Sequence, residues 1–420
     1  MHEVNAPIGA EEFSALMRGF APFSKKIALA VSGGPDSMAL AYCVQKWGKA
    51  DCIAFIVEHG LREESATEAK EVKKRLHKLG VSAEILTWRH GEIRSRLHEV
   101  AREARYRLLI DACKKHGVKD LLMAHQAEDQ AETVLMRLAK GTGIDGLAGI
   151  PPQSRRDDIR ILRPLLSFSK NRLIATCKKA RIQTVTDPSN AKAKYARGRL
   201  RKIMPLLDKE GLTIERLTAL SNRAREAKDA LDGATHDFLN KSAHIEIGGF
   251  VLLDREALRS IPRAIAMRAL GACLRFVHEG EHPPDYDSLA SVVDMLLGES
   301  GKTRTIHGCM ISPSEKQVTI LREPAAAKEE IPIGPRQTVL WDKRWLVTAS
   351  AKASPGTIRA LGNPPHEILD ALAPGLRKQI PQGRIRASLP AIWKNGELSA
   401  LPSFEKNDFF KADLSKKVLF

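Results

Sequence analysis

The chain has 420 residues, 43% hydrophobic, 28% charged and 5% aromatic, which gives room for about two to four domains and excludes a disordered or collagen-like protein. It is strongly basic: 67 Lys+Arg stand against 50 Asp+Glu, a formal +17, which favours a polyanionic partner such as nucleic acid. The first twenty residues mix acids into their apolar positions and read as no secretory signal, and no run approaches the ~20 apolar residues that cross a bilayer, so a soluble cytoplasmic protein with no membrane partner is expected.

In chain order, Ile27 to Val31 (IALAV) predicts a buried strand, and Met38 to Trp47 a helix after a glycine turn. Cys52 to Val57 predicts a second strand, followed by a charged helix from about Glu63 to Leu79. Ser82 to Trp88 is a third strand, and Ile93 to Lys115 a long helix with Ile93, Leu97, Val100, Ala104, Leu108 and Ala112 at three- and four-residue spacing. Asp120 to His125 is a fourth strand, followed by a helix from Glu128 to Ala139. Strand and helix in strict alternation predict an α/β domain with a doubly wound parallel sheet, whose ligands sit at the carboxyl ends of the strands. Those ends are Ser32 to Ser37, Glu58 to Arg62 and His125 to Glu132.

Beyond Gly149, Pro151 and Pro152 break the alternation, and from Arg155 to Pro205 the chain carries 15 Lys/Arg against 3 Asp/Glu, a net +12. Most of the excess charge is therefore local. A long helix from about Leu212 to Lys241 opens a mainly helical region reaching about Gly298, followed by strand-like runs (TRTIHGCMIS, KQVTILRE). An Ala/Lys/Glu/Pro stretch, Pro324 to Pro332, reads as a linker, and the last ~90 residues as a small β-containing module. The expected divisions are 1–211, 212–323, 324–332 and 333–420. Oligomeric state is left open, a homodimer included.

SGGPDS (Ser32 to Ser37) ends a strand and opens a helix, placing consecutive N–H groups and two hydroxyls at a positive helix end. Gly33 and Gly34 permit the tight turn, Pro35 suits the first helical turn, and Asp36 can help hold a magnesium ion. The loop resembles the PP-loop of the ATP pyrophosphatases, which cleave ATP to AMP and pyrophosphate while adenylating a substrate oxygen. GESGKT (Gly298 to Thr303) has a Walker A ending but carries Leu296 where the first glycine is required, so it reads as a helix-ending turn. The six cysteines are scattered singly, which argues against a zinc ribbon, an iron–sulfur site or a disulfide scaffold.

VEHGLREES (Val57 to Ser65), AREARY (Ala101 to Tyr106), the stretch from Ala124 to Pro152, RPLL (Arg163 to Leu166), DPSN (Asp187 to Asn190) and YARGRLRKIMP (Tyr195 to Pro205), in this order, closely resemble the tRNA(Ile)-lysidine synthase family. The resemblance implies an enzyme that uses ATP and magnesium to activate carbon 2 of the wobble cytidine in an isoleucine tRNA with a CAU anticodon, whereupon L-lysine displaces AMP. It matches Asp129 and Glu132 to the family's lysine-site acids, Arg105 to the arginine near the nucleotide and activated base, and Arg197 to a further active-site arginine, for which a tRNA-phosphate contact is a rival role. It puts His59 near the adenosine, gives His125 a similar standing, and makes Gly141 to Gly149 a loop closing over the activated nucleotide. Chemically the acids are apt: holding a lysine amine of pKa ~10.4 neutral at pH 7 costs about 4.6 kcal/mol without help. The chain departs from the pattern at Glu58, where the family has Asp or Asn, and at Gly198, where it has Asn. The competing readings are a 2-thiocytidine-type tRNA thiolase, which would need C-x-x-C pairs this chain lacks, a metabolite synthetase such as a GMP or asparagine synthetase, which would give no reason for the +12 cluster, and a non-catalytic tRNA-binding protein, which would need neither SGGPDS nor the acid pair.

Overall fold

The computed structural model describes residues 6–61, 64–91, 97–185, 196–278, 284–298, 301–372, 380–381, 383–404, 408–415 and 419. The expected DPSN motif and Tyr195 lie outside the described residues. The chain divides into two compact units, Met1–Lys228 and Asp229–Phe420.

The first unit opens with α1 (Ala10–Arg18) and continues β1 (Lys26–Ala30), α2 (Pro35–Trp47), β2 (Asp51–Glu58), α3 (Ser65–Lys78), β3 (Ser82–Thr87), α4 (Leu97–Lys115), β4 (Asp120–Met123) and α5 (Ala127–Leu138). The expected alternation is present throughout. A short α6 (Ile144–Leu147) follows, then β5 (Gln153–Arg156), β6 (Ile159–Leu162), α7 (Lys170–Lys179), α8 (Ala196–Lys209) and α9 (Ile214–Ser242), whose length carries it past the division at Lys228. The sheet runs β3-β2-β1-β4-β6-β5, parallel except for the antiparallel edge strand β5. β5 and β6 fall in the basic segment, where their arginine content conceals the alternation of Ile159, Ile161 and Leu162, all buried.

The central strands are apolar on both sides because both are covered. Ile27 and Leu29 enter a core with Phe13 and Met17 of α1, Met38 and Leu40 of α2, Val72 and Leu76 of α3 and Leu173 of α7. Ala28, between them, faces the opposite core with Phe55, Tyr106, Leu109 and Ile110. Chain order reverses at β1 and β4, so their carboxyl ends flank the crevice where a doubly wound sheet binds its ligand.

In the second unit, β7 (Ala243–Ile245), β8 (Val251–Asp254), α10 (Arg255–Ser260), α11 (Arg263–His278) and α12 (Tyr286–Leu297) are followed by β9 (Arg304–Ile306), β10 (Cys309–Pro313) and β11 (Gln317–Arg322). The five strands form one sheet, β7-β8-β11-β10-β9, so the stretch expected to be mainly helical contributes two of its strands. Gly298, the first residue of the Walker-like segment, caps the end of α12 and its carbonyl accepts from Arg255 Nη2 at 3.0 Å; Glu299 and Ser300 lie outside the described residues, and the next element is a strand rather than a helix. The stretch expected to be a linker holds a 3-10 turn at Pro324–Ala326 and a strand at Ile331–Ile333, anchored by Ala327 and Ile333, both buried. Two antiparallel sheets of four and three strands complete the chain around Trp341 and Trp345.

Candidate active site

The loop after β1 is a closed hydrogen-bonded turn. Ser37 Oγ accepts from the Ser32 N–H at 3.1 Å and donates to the Gly34 carbonyl at 3.1 Å, while the Val185 N–H donates to the Gly33 carbonyl at 2.8 Å. Gly33 has φ +85°, and a Cβ there would stand 2.3 Å from Val72 Cγ2. Gly34 caps α2 and Pro35 fills its first turn, leaving the helix N–H groups to face the crevice mouth. Asp36 follows in that turn. Its Oδ1 is buried with no hydrogen-bond partner, and its pKa is pushed up to about 6, chiefly by burial; Lys170 opposes that rise, Asp129 adds to it and Arg201 opposes it.

Across the crevice α5 begins directly after β4. Gln126 caps it by accepting from the Glu128 N–H at 2.5 Å, and the Gln126 N–H donates to Asp129 Oδ2 at 3.3 Å, which fixes Asp129 in the first turn. Glu128 is turned aside to accept the Lys170 N–H at 2.9 and 3.0 Å. Glu132 is not the solvated helix acid its sequence context allows: its side chain is 3% exposed, and Arg201 Nε donates to its Oε1 at 2.5 Å, with Arg197 Nε 3.9 Å from Oε2. The arginines arrive because Leu200, Met204 and Leu207 of α8 pack at helical spacing against Ala131, Val134 and Leu135 of α5, which places Arg197 and Arg201, four apart, on the adjoining face. Arg201 and Lys170 are hidden in the basic run; the i,i+4 spacing of Arg197 and Arg201 over an apolar stripe is the available signal.

Arg105 and His125 complete the floor. Arg105 is half-buried, its Nε is buried with no partner, and burial pulls its pKa below the usual guanidinium range, with Asp129 among the charges opposing that. His125 is held neutral, its pKa brought down to about 3 by burial and by the neighbouring Arg163, Arg105, Arg102 and Arg197; its Nδ1 is likewise buried without a partner. At the end of β2, Glu58 Oε1 accepts from the Gly60 N–H at 2.7 Å and from Ser65 Oγ at 2.6 Å, clamping the turn that carries His59. The His59 ring meets Trp88 edge-on at 6.4 Å. The glycine-rich stretch is not slack: Arg137 Nη1 donates to the Gly146 and Gly149 carbonyls at 3.0 and 2.8 Å. Among the described residues no three His, Cys, Asp or Glu side chains gather as a metal site, and no helix is long and apolar enough to cross a membrane.

An anion-binding loop at the switch point of a parallel sheet, faced by acids and arginines, defines a PP-loop enzyme that uses ATP. Residues 10–207 match a family model described as a PP-loop domain. The chain is 39% identical over 337 residues to the tRNA(Ile)-lysidine synthase of Methylobacterium nodulans, covering 77% of this chain and 98% of that one. It is 31% identical over 404 residues to that of a Wolbachia sp. subsp. Brugia malayi, covering 92% and 91%, and 43% identical over 261 residues to that of Methylobacterium sp. strain 4-46, covering 62% and 76%. The chain belongs to the tRNA(Ile)-lysidine synthase family.

Proposed function

We propose that the chain forms lysidine, using ATP to join L-lysine to carbon 2 of the wobble cytidine of an isoleucine tRNA with a CAU anticodon. The observation that carries this reading is the meeting, at the reversal between β1 and β4, of the SGGPDS loop with Asp129 and the Arg201-paired Glu132. A binding protein has no use for that arrangement.

In the first step the cytidine O2 attacks the α-phosphorus and pyrophosphate leaves, giving an adenylated cytidine. In the second the lysine side-chain amine forms a bond to C2, loses a proton, and AMP departs with the former O2. The Ser32 to Ser37 turn suits the phosphates, since its N–H groups lie at a helix end and cost no reorganisation. Asp36, with one buried oxygen unpartnered, fits as a holder of a magnesium ion, which when bound would offset charge developing on the leaving pyrophosphate. Arg105 and Arg197 are suited to balance the α-phosphate charge. Asp129 and Glu132 are suited to take up the ammonium end of lysine and receive its proton, with Arg201 holding the buried Glu132 carboxylate in place by a charge-assisted hydrogen bond. His125, held neutral, can offer a hydrogen bond without adding charge. His59, on its clamped turn, is suited to the nucleoside end of ATP.

The test is to incubate the protein with ATP, magnesium, lysine and isoleucine tRNA transcript, then digest and analyse nucleosides by mass spectrometry. A cytidine gaining lysine less water is expected. Sulfur replacing oxygen, or tight tRNA binding with no modified nucleoside, overturns the reading.

A further inference from the structure

Gln130 lies between the two acids in sequence but on the opposite side of their helix. At about 100° per residue, Asp129 and Glu132 stand roughly 60° apart, while Gln130 is turned about 100° from one and 160° from the other. It is 1% exposed, and its amide uses both ends: Oε1 accepts from the Ile150 N–H at 2.7 Å, and Nε2 donates to the Ile150 carbonyl at 3.2 Å and to Ser221 Oγ at 2.8 Å. Ser221, fully buried on α9, donates to the Ala148 carbonyl at 2.9 Å. Arg225, one turn further along α9, donates to the Ala148 and Ile150 carbonyls at 2.5 and 2.8 Å. Gly149 completes the turn with φ +63°, where a Cβ would come within 2.7 Å of both Gln130 Oε1 and Ser221 Oγ.

We infer that Gln130 and Ser221 are positioning residues, a buried latch that ties the Ala148–Ile150 turn and α9 to the back of α5 and so sets the rotation of the helix presenting Asp129 and Glu132. A buried polar group is costly to leave unpaired, so this network has one well-satisfied arrangement and resists intermediate ones. A small rotation of α5 displaces both acids together, so their partner feels the latch before the phosphate loop does. The inference rests on the assignment of the acids to lysine.

The experiment compares Ser221→Ala and the shape-conserving Gln130→Met with the wild-type chain. Three quantities are read: hydrogen exchange of the 146–150 amides without substrate, KM for ATP, and KM for lysine in lysidine formation. Expected are faster exchange at Ile150, a lysine KM raised at least fivefold, and an ATP KM within twofold of wild type. Gln130→Met also discriminates if Ser221→Ala proves tolerated, because it removes all three Gln130 bonds. Faster exchange with an unchanged lysine KM, or lysine and ATP KM rising in parallel, overturns the inference. A wild-type chain that incorporates no lysine overturns instead the reading on which it rests.

Discussion

Glu132 and Arg201 form an ion pair across unequal environments, the carboxylate 3% exposed and the guanidinium 38% exposed, joined at 2.5 Å. Arg201 thereby gives the buried carboxylate a hydrogen bond that solvent cannot reach to supply, and the arginine's own pKa is raised, first by that hydrogen bond. Arg201→Ala removes the main partner and leaves Arg197, at 3.9 Å, as the nearer remaining cation. We expect it to lower lysine-dependent kcat/KM by about 10²-fold, with Arg201→Lys intermediate because one point charge replaces a directed donor. Steady-state kinetics with varied lysine check this; equal activity of the Ala and Lys variants counts against it.

Asp36 yields a pH prediction. Its carboxyl, ordinarily near 3.8, is raised to about 6 in the folded chain by burial. Between those values the folded state holds a proton that the unfolded state has lost, so stability from this group is greatest below about 3.8 and falls as pH rises to 6. Asp36→Asn is therefore expected to stabilise the ligand-free chain at pH 7 by about 1–3 kcal/mol, and much less at pH 4.5. The same substitution is expected to abolish pyrophosphate release. Thermal unfolding at the two pH values, with a pyrophosphate assay alongside, tests both halves.

Gly33 is constrained twice over. Its φ of +85° disfavours any side chain, and the added Cβ would lie 2.3 Å from Val72 Cγ2. Gly33→Ala is expected to raise the ATP KM at least about tenfold, the left-handed strain alone costing about 1–3 kcal/mol. Adding Val72→Ala relieves the overlap but not the backbone, so the double variant is expected to recover only part of the loss. Full recovery in an ATP titration would show that the overlap alone mattered.

The parallel sheet is legible in the sequence because IALAV, CIAFIV and the LLM of β4 are apolar without interruption, which only a doubly covered strand requires. The phosphate loop is legible because its chemistry is local: six consecutive residues carry the turn, the cap and the acid. Asp129 and Glu132 are legible as a pair, but not the burial of Glu132, since that depends on α8 folding back to bring Arg201 in from 69 residues away. The strands β5 and β6 are lost in the charge of the segment that contains them. There Arg160 is spent on Asp120 and on the Phe20 and Pro22 carbonyls, Arg163 on the Pro151 carbonyl and Ser154, and Arg172 on Glu12. A count of charges treats these as surface, although each is committed to holding the first unit together.

Glu58 gives a prediction about the nucleoside end of ATP. Its carboxylate bonds Gly60 N–H and Ser65 Oγ, so it acts through the turn it holds. Glu58→Gln keeps an acceptor oxygen for both donors, whereas Glu58→Ala leaves them without it. We expect the ATP KM to rise about three- to tenfold in Glu58→Ala and to stay within about twofold in Glu58→Gln, the net worth of such hydrogen bonds being about 1 kcal/mol each. An equal rise in both variants would instead implicate the negative charge.

The commitment of arginines to the fold bears on how salt acts on tRNA binding. The basic segment carries a net +12, but Arg160, Arg163 and Arg172 have protein partners and are half-buried or buried. Lys178, Lys179 and Arg181, at the end of α7 and just beyond it, are exposed. Removing one cation that neutralises a phosphate flattens the dependence of log K on log salt by about 0.7–0.9. Replacing Lys178, Lys179 and Arg181 together by Ala is therefore expected to weaken tRNA binding and lower that slope by up to about 2–3 while leaving thermal stability nearly unchanged. Arg160→Ala, by contrast, is expected to lower thermal stability, because it strips the buried Asp120 carboxylate of its cation, and to leave the salt slope unaltered. Binding isotherms at several salt concentrations, set beside melting curves of the same variants, separate the two kinds of cation; a slope that falls equally in both would mean that Arg160 also reaches phosphate.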